Sequence, residues 1–369
     1  MGSFKPLLPM GEKSMLERTI ELFTQAGIYD IRVVIGYRAE EIAPVVKAMG
    51  AGAIVNSHYE SGMLSSIKAG IKNLPNTQQA FFLLPVDVPL VRCQTVSDLL
   101  NAWKNNKKGI LYPTFINRRG HPPLISTLLI QDILAWNSVG GLRSFLKQHE
   151  NDTVNVPVAD EHILFDMDTP GNYQNALNML ENYDIPTTCE CMEILTRRFA
   201  VDKPILDHCR AVAQVAGHLT RILNNSGCRI ELKLVKASSL LHDMLRTEPD
   251  HAQAAAQLLN QMGYARVADI VASHMDISVQ DDAPFHAREV VYLADKLVQE
   301  DRLVSLHQRF NGRVAQYADA QANAAVNTRF ETSLKIKKRF EKQTGLSLDT
   351  VLTELAPKFA ESIAYDFSY

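Results

Sequence analysis

Six histidine and aspartate residues in the second half of the chain have the types and order that could bind a divalent metal. They are His208, the adjacent pair His242 and Asp243, His251, His274 and Asp295. Each falls on a predicted helix or helix end, and helical bundles build metal sites from imidazoles and carboxylates on facing helices. A mixed histidine and carboxylate set suits Mg, Mn, Fe or Ni better than a thiolate site would. The pattern therefore predicts a divalent metal centre.

The sequence around these residues is apolar, which argues that their polar side chains have a function. His242 and Asp243 close the apolar stretch at residues 239–241, and Asp295 lies within residues 291–297. A charged side chain on an apolar helical face is destabilising unless it is paired or bound to a metal. A lone helical histidine is most often structural, but six such residues in this order favour one shared site.

The constellation resembles the HD superfamily of metal-dependent phosphohydrolases over about residues 200–305. The resemblance implies one metal held by four of the residues, with two more as ligands of a second metal. The four are His208, His242, Asp243 and Asp295, and the two are His251 and His274. In this family a divalent metal activates water for attack on phosphorus, so a phosphate ester or a nucleotide is the implied substrate.

Two residues of this half receive catalytic roles from the same resemblance. Asp243 is expected to bridge the two metals if both bind. Arg246 stands shortly after the His-Asp pair, where many members of the family have a lysine. A forked guanidinium could contact phosphate there.

In the first half of the chain, the position of Asp87 in the sequence suggests that its carboxylate binds a metal ion. It follows the apolar run at residues 80–84, which predicts a buried strand, and it lies between Pro85 and Pro89. Ligands of open α/β sheets bind outside the carboxyl ends of the strands. A carboxylate there suits the Mg of a triphosphate, while a turn-capping role is the alternative.

Residues 4–11, 56–67 and 84–89 together resemble the molybdenum-cofactor cytidylyl- and guanylyltransferases. The broader resemblance, over about residues 1–182, is to the nucleotide-diphospho-sugar transferase fold, and residues 120–123 and 166–170 support it. It implies a nucleoside triphosphate and a small phosphorylated or pterin acceptor as substrates, with Mg as cofactor. The implied Mg ligands are Asp87 and Asp168, Lys5 is the implied catalytic contact to phosphate, and the other nucleotide-site residues are Asn56, Gly62, Ser65, Ser66, Gly120 and His121.

The chain departs from that family at its beginning. The family starts with a strand and a loop of the form Ala-Ala-Gly-x-Ser-x-Arg-Met-Gly-x-x-Lys, whose backbone N–H groups cradle the triphosphate. Residues 1–5 match only the last five positions of that pattern. We expect Met1 to be an internal methionine of a longer natural protein. For the chain as it stands, the missing strand predicts weak or absent transferase activity.

The elements that must position these residues differ between the two halves. Up to about residue 185, strand-like runs alternate with helical patterns; the strands are expected at 31–36, 53–55 and 80–84 and the helices at 39–49, 62–73 and 94–105. This alternation predicts a three-layer α/β fold with a mostly parallel sheet covered on both faces. After residue 187 apolar residues recur every three or four positions, which predicts an all-helical unit. The expected domains are residues 1–185 and 186–369.

Composition excludes several classes of protein. The chain has 369 residues, of which 46% are hydrophobic and 21% charged, as in a globular protein of two domains. Lys and Arg number 38 against 41 Asp and Glu, a net charge of −3, which disfavours nucleic acid or an anionic membrane as partner. Five cysteines form no disulfide framework and favour the cytoplasm. No segment is long and apolar enough to span a bilayer.

The leading interpretation is a two-domain enzyme that joins a nucleotidyltransferase-like domain to a metal-dependent phosphohydrolase. The competing interpretation is a non-catalytic sensor or chaperone whose degenerate transferase half binds a nucleotide or cofactor. The sequence leaves open the substrates, the identity and number of the metals, and the oligomeric state.

Overall fold

The chain divides into two compact units, with the division after Tyr183. The computed structural model describes residues 4–72, 74–75, 77–106, 108–311 and 320–365. Met1, Gly2 and Ser3, on which the expectation of an internal start rests, lie outside the described residues.

The first unit alternates strands and helices, as predicted. Its strands are β1 (Pro9–Met10), β2 (Lys13–Ser14), β3 (Arg32–Ile35), β4 (Gly52–Val55), β5 (Ala80–Phe82), β6 (Ile110–Phe115), β7 (Arg118–Arg119), β8 (Leu124–Ser126) and β9 (Thr153–Pro157). Its helices are α1 (Met15–Gln25), α2 (Ala39–Ala48), α3 (Met63–Ile71), α4 (Cys93–Asn105), α5 (Ile130–Ala135), α6 (Gly141–Gln148) and α7 (Pro170–Glu181).

Strand pairing in this unit forms two sheets besides the short β1–β2 hairpin. β3 and β4 pair in parallel, with Arg32 opposite Gly52. The second sheet has the order β5-β8-β6-β7, with β9 paired in parallel to β6. Because β8 is antiparallel to both β5 and β6, the strands β5, β6 and β9 all run in one direction.

Helices cover the sheets in two layers. α1 packs against α2 and α4, and α3 packs against α5 and α6. α1 begins with a capping box, in which the Ser14 hydroxyl accepts from the Glu17 N–H and the Glu17 carboxylate accepts from the Ser14 N–H; the two bonds satisfy amides that the first turn leaves free. The predicted three-layer α/β class is confirmed.

The apolar run at residues 80–84 is an exception to the sequence predictions. It predicts a buried strand, but β5 spans only Ala80–Phe82 and is half-buried along its length. The physical reason is its place at a sheet edge, since β8 is its only strand neighbour within the described residues.

The second unit is helical, and the predicted class is confirmed here too. Its helices are α8 (Thr188–Glu193), α9 (Lys203–Asn225), α10 (Leu232–Leu241), α11 (His251–Gln261), α12 (Ala265–Ser273), α13 (Ala287–Lys296), α14 (Leu306–Phe310), α15 (Ala320–Thr344) and α16 (Leu348–Tyr365). A short antiparallel hairpin of two-residue strands, β10 (Val298–Gln299) and β11 (Arg302–Leu303), lies between α13 and α14. α9 lies at the centre and packs against α10, α13, α15 and α16. No helix in the described part of the chain is long and apolar enough to cross a membrane.

Candidate metal centre and nucleotide site

The six predicted residues of the helical unit converge at one place. α9 carries His208, the end of α10 carries His242 and Asp243, α11 begins at His251, α12 ends before His274, and α13 carries Asp295. Five of the six are buried, and the His251 side chain is 19% exposed. The helix ends therefore bring four imidazoles and two carboxylates together in a largely water-excluded space.

Asp243 lies at the centre of this cluster. Its Oδ1 is 3.4 Å from His251 Nε2 and 3.5 Å from His274 Nε2. Its Oδ2 is 3.4 Å from His242 Nε2 and 3.7 Å from His208 Nε2. Two groups that could each hold an ion, one on either carboxylate oxygen, thus share this residue.

Asp295 completes the first of the two groups. Its Oδ1 is 3.2 Å from His208 Nε2 and 3.8 Å from His242 Nε2. Its other oxygen, Oδ2, accepts a hydrogen bond of 2.5 Å from the buried Lys296 Nζ. The lysine therefore holds the carboxylate with one oxygen turned toward the histidines.

Backbone carbonyls orient three of the imidazoles through Nδ1. The pairs are His208 with the Glu300 carbonyl at 2.7 Å, His242 with Ser239 at 2.8 Å and His274 with Val271 at 2.7 Å. A carbonyl accepts only from a protonated Nδ1, so the neutral ring presents the lone pair of Nε2 to the cluster, as in metal-ligating histidines.

Burial and the mutual charges of the cluster shift its pKa values strongly. Burial opposes the charge on His242, but the Asp243 and Asp295 carboxylates raise its pKa well above the usual range. Burial likewise opposes ionisation of Asp295, yet Lys296 and His208 hold its pKa well below the usual range. Burial lowers the pKa of His274. Both carboxylates thus stay negative, which favours a cation between them.

The donor set fits a divalent metal. His242 Nε2 is fully buried and makes no hydrogen bond of good geometry to another described residue. In the neutral ring the Nε2 lone pair faces the Asp243 and Asp295 carboxylates, and a divalent cation there would take the place of the proton that these carboxylates otherwise favour on the ring. Neutral imidazole and carboxylate oxygen are ligands that Mn, Fe, Ni and Mg accept.

The first unit gathers the predicted phosphate and Mg residues into a second cluster. Lys5 Nζ lies 3.3 Å from Asp168 Oδ1, and the Met167 N–H donates to the Asp87 carbonyl at 3.0 Å. Burial raises the pKa of Asp87, and the charges of Asp166 and Asp168 add to it. Burial lowers the pKa of the nearby His121. An acidic cluster of this kind, closed by one lysine, suits a cation with a phosphate.

The side chains of Asn56, Ser65 and Ser66 lie together and are hydrogen-bonded to one another. The Asn56 amide donates to Ser65 Oγ at 2.9 Å and to Ser66 Oγ at 3.0 Å, and its Oδ1 accepts from the His58 N–H. The Asn56 amide group therefore anchors the loop before α3. Ser66 also lines a cavity that Gly62 and His121 share, so the nucleotide roles of these residues stay predictions.

Gly120 is required by close backbone approach. A Cβ at this position would lie 2.3 Å from the Ile163 carbonyl oxygen, and the His121 N–H donates to that same oxygen at 2.9 Å. The glycine lets the two segments join, which holds His121 beside Asp166 and Asp87.

Sequence reasoning missed two residues that the structure places at these sites. Lys296 follows Asp295 directly on an apolar helix, and a lysine buried there signals a paired charge. Asp166 stands two positions before Asp168. The turn that places its charge near Asp87 has no repeat in the sequence that could reveal it.

Two family models match parts of the chain that contain most residues of these clusters; Asp166 and Asp168 lie outside both matches. One, described as a MobA-like NTP transferase domain, matches residues 1–154, and the other, described as an HD domain, matches residues 205–300. The chain joins a MobA-like NTP transferase domain to an HD domain. The first contains Lys5, Asp87 and His121, and the second contains all six members of the metal cluster.

Two known proteins are similar to parts of this chain. Nicotine blue oxidoreductase of Paenarthrobacter nicotinovorans is 27% identical over 171 residues, which are 45% of this chain and 83% of that protein. An uncharacterised protein of Methanocaldococcus jannaschii is 28% identical over 71 residues, 18% of this chain and 42% of its own length.

Solved structures are similar to about half of the chain. The manganese complex of Rv0371c from Mycobacterium tuberculosis is 19% identical, covers 48% of this chain and 93% of its own, and has a TM-score of 0.42. A nucleotidyl transferase from Methanothermobacter is 17% identical, covers 48% of this chain and 85% of its own, and has a TM-score of 0.43.

Proposed function

We propose that the HD domain is a metal-dependent phosphohydrolase that cleaves a phosphate ester or a nucleotide. The observation that carries the proposal is the convergence of four histidine Nε2 atoms on the two oxygens of Asp243 and on Asp295. A divalent metal bound there would lower the pKa of a bound water and neutralise phosphate oxygens.

The residues around the cluster orient the ligand atoms and offer a contact to the substrate. The carbonyl contacts to Nδ1 and the ammonium of Lys296 keep the ligand atoms oriented. Arg246 Nη1 donates to Asp243 Oδ2 at 2.5 Å, while 45% of the Arg246 side chain remains exposed. From that position the guanidinium can meet the phosphate of an incoming substrate as a forked donor.

The HD proposal is tested with Asp243→Ala and a matched control, Asp269→Ala, on the exposed surface of α12. Metal content by elemental analysis and turnover of a phosphate-ester and nucleotide panel are measured with Mn, Fe, Ni and Mg. We expect Asp243→Ala to lose metal and to lose at least 100-fold in turnover, since the shared ligand is gone, while Asp269→Ala retains both. Unchanged metal and turnover in Asp243→Ala would refute the proposal.

We further propose that the transferase domain binds a nucleoside triphosphate with Mg and transfers the nucleotide to a small phosphorylated or pterin acceptor. The acidic cluster of Asp87, Asp166 and Asp168 beside Lys5 supports this. Catalysis of this kind consists of positioning and charge neutralisation, with pyrophosphate leaving.

A non-catalytic nucleotide sensor is the competing function of the transferase domain. Titration of nucleoside triphosphates with and without Mg, while pyrophosphate release is followed, separates the two. Release that disappears in Asp87→Asn supports the transferase, and saturable binding without release supports the sensor.

A further inference from the structure

Helix α15 follows the part of the chain that matches the HD domain, yet it contacts segments that carry metal-cluster residues. The HD match ends at residue 300, and α15 spans Ala320–Thr344. Arg329 of α15 makes two of these contacts. Its guanidinium binds the Asp276 carboxylate, and its backbone carbonyl accepts a hydrogen bond from the Tyr292 hydroxyl.

The contact with Asp276 lies next to His274 in the chain. Arg329 Nε and Nη2 each donate to one oxygen of Asp276 at 2.8 Å. Asp276 stands two residues after His274, whose Nε2 lies 3.5 Å from Asp243 Oδ1. A forked ion pair fixes direction as well as distance. The guanidinium therefore restrains the chain at the point where it leaves His274.

The second contact lies beside Asp295. Tyr292 is fully buried on α13, and its hydroxyl donates to the Arg329 carbonyl at 3.2 Å. Residues three and four positions apart on a helix share a face, as Tyr292 does with Asp295 and Lys296. Lys296 Nζ, which donates to Asp295, lies 4.8 Å from the centre of the Tyr292 ring. The backbone of α15 thus supports the side of the cluster that Asp295 completes.

The segment at residues 275–286 contains no helix or strand, and α15 holds it at two further points. Lys335 Nζ donates to the Val279 carbonyl at 2.8 Å. Arg339 Nη2 donates to the Ala283 carbonyl at 2.6 Å. Because all these contacts come from one helix, they fix the segment relative to α15.

The importance of the Arg329 pair lies in its position rather than in its contribution to stability. An exposed ion pair adds little to the free energy of unfolding, and 63% of the Asp276 side chain is exposed. A metal site, in contrast, is sensitive to the residues that support its ligands. Mutation of such supporting residues typically lowers metal affinity by about 10–100-fold.

We propose that Arg329 is a positioning residue of the metal centre, whose guanidinium keeps His274 in place for an ion shared with Asp243 and His251. The inference rests on the proposed metal-dependent function and extends it to a helix beyond the matched HD domain. The Tyr292 contact uses the backbone carbonyl, which a side-chain substitution leaves in place. Loss of the guanidinium is therefore expected to weaken one ion and not the other.

The test compares Arg329→Gln with Lys337→Gln, a matched control that removes the ion pair between α15 and Asp349. Mn²⁺ is titrated calorimetrically into the metal-free full chain, and bound ions are counted by elemental analysis. We expect two ions in the wild type and the control. In Arg329→Gln the Kd of one ion should rise at least tenfold, while that of the other changes less than threefold. Arg329→Lys, which keeps the charge and loses the fork, should lie between the two.

Two further measurements assign the affected ion. Asp276→Asn should cause the same loss as Arg329→Gln, and the double variant should lose no more than either single one. In metal-free protein the His274 Nδ1 pairs with the Val271 carbonyl at 2.7 Å, which fixes one tautomer of the ring. The imidazole NMR signals of His274 should shift or broaden in Arg329→Gln, while those of His208 stay unchanged.

Four results would overturn the proposal. The first is equal affinity for both ions in Arg329→Gln and the control, and the second is a His274 signal that stays unchanged. The third is equal weakening of both ions with a lower Tm, which assigns Arg329 a structural role only. The fourth is a wild-type protein that binds a single ion. Wild-type protein that binds no Mn²⁺ refutes the phosphohydrolase proposal, and this inference with it.

Discussion

Lys296 offers a sharp test of the charge balance in the HD cluster. The lysine is 6% exposed, and its Nζ contacts Asp295 Oδ2 at 2.5 Å. Lys296→Met keeps the apolar stem and removes the charge, so Asp295 is left buried without its strongest cationic neighbour. Breaking a buried pair by removing one partner costs about 3–5 kcal/mol. For a unit of this size that corresponds to a fall in Tm of roughly 6–20 °C.

The assay is calorimetric unfolding of the full chain with a chelator and again with saturating Mn²⁺. The loss is expected in full with the chelator and at no more than half that size with Mn²⁺, because a divalent cation beside Asp295 replaces the missing charge. The matched control is Lys342→Met on the exposed surface of α15, which should stay within about 0.5 kcal/mol.

A double-mutant cycle isolates the ion pair from packing effects. In the Asp295→Asn background no buried charge is left to compensate, so Lys296→Met should then cost less than about 1 kcal/mol. If Lys296→Met has equal effects in both backgrounds, or costs under about 1 kcal/mol in chelated wild-type protein, the pair does not hold Asp295 and the reasoning is wrong.

Three further changes have outcomes that can be checked directly. Burial opposes ionisation of Asp160, but the hydrogen bond from His162 helps to lower the pKa of its carboxyl. The ionised Asp160 therefore stabilises the fold above about pH 4, and this stabilisation is lost as the pH falls through the lowered pKa. Asp160→Asn should flatten the acid side of the curve of unfolding free energy against pH. Gly120→Ala should lower the Tm of the transferase domain and weaken nucleotide binding in calorimetry, since its Cβ would lie 2.3 Å from a backbone carbonyl oxygen. Arg246→Met should reduce kcat/KM for phosphate esters at least tenfold while elemental analysis finds the metal content unchanged, because Arg246 contacts Asp243 from an exposed position; lost metal would contradict the phosphate role.

The periodicity of the sequence was sufficient for some elements of the first unit and for the helical class of the second. The runs at residues 31–36 and 53–55 became β3 and β4, and the helical patterns between and after them became α2, α3 and α4. These segments could be predicted because each strand or helix face has a local repeat in apolar residues. The half-buried state of β5 could not be predicted, because burial depends on whether a neighbouring strand is present.

The six metal-cluster residues were identified from residue type, order and apolar surroundings alone. Their helices and their proximity to helix ends also follow from local spacing. The bridging role of Asp243 was expected from the family resemblance, but which of its carboxylate oxygens faces which histidines could not be read from the sequence, since that depends on how the helices pack. Lys296 is a second case, because its partner is decided by the rotation of α13 in the bundle.

The sequence by itself therefore determined two classes of unit and the residues with chemistry to offer in each, because periodicity and residue type are properties of local segments. Only the tertiary structure decided which oxygen of Asp243 faces which histidines, that Asp166 joins Asp87, and that a cavity lies between β3 and β5. Those relations join residues distant in the chain, and they follow from how helices and strands pack rather than from any repeat within them.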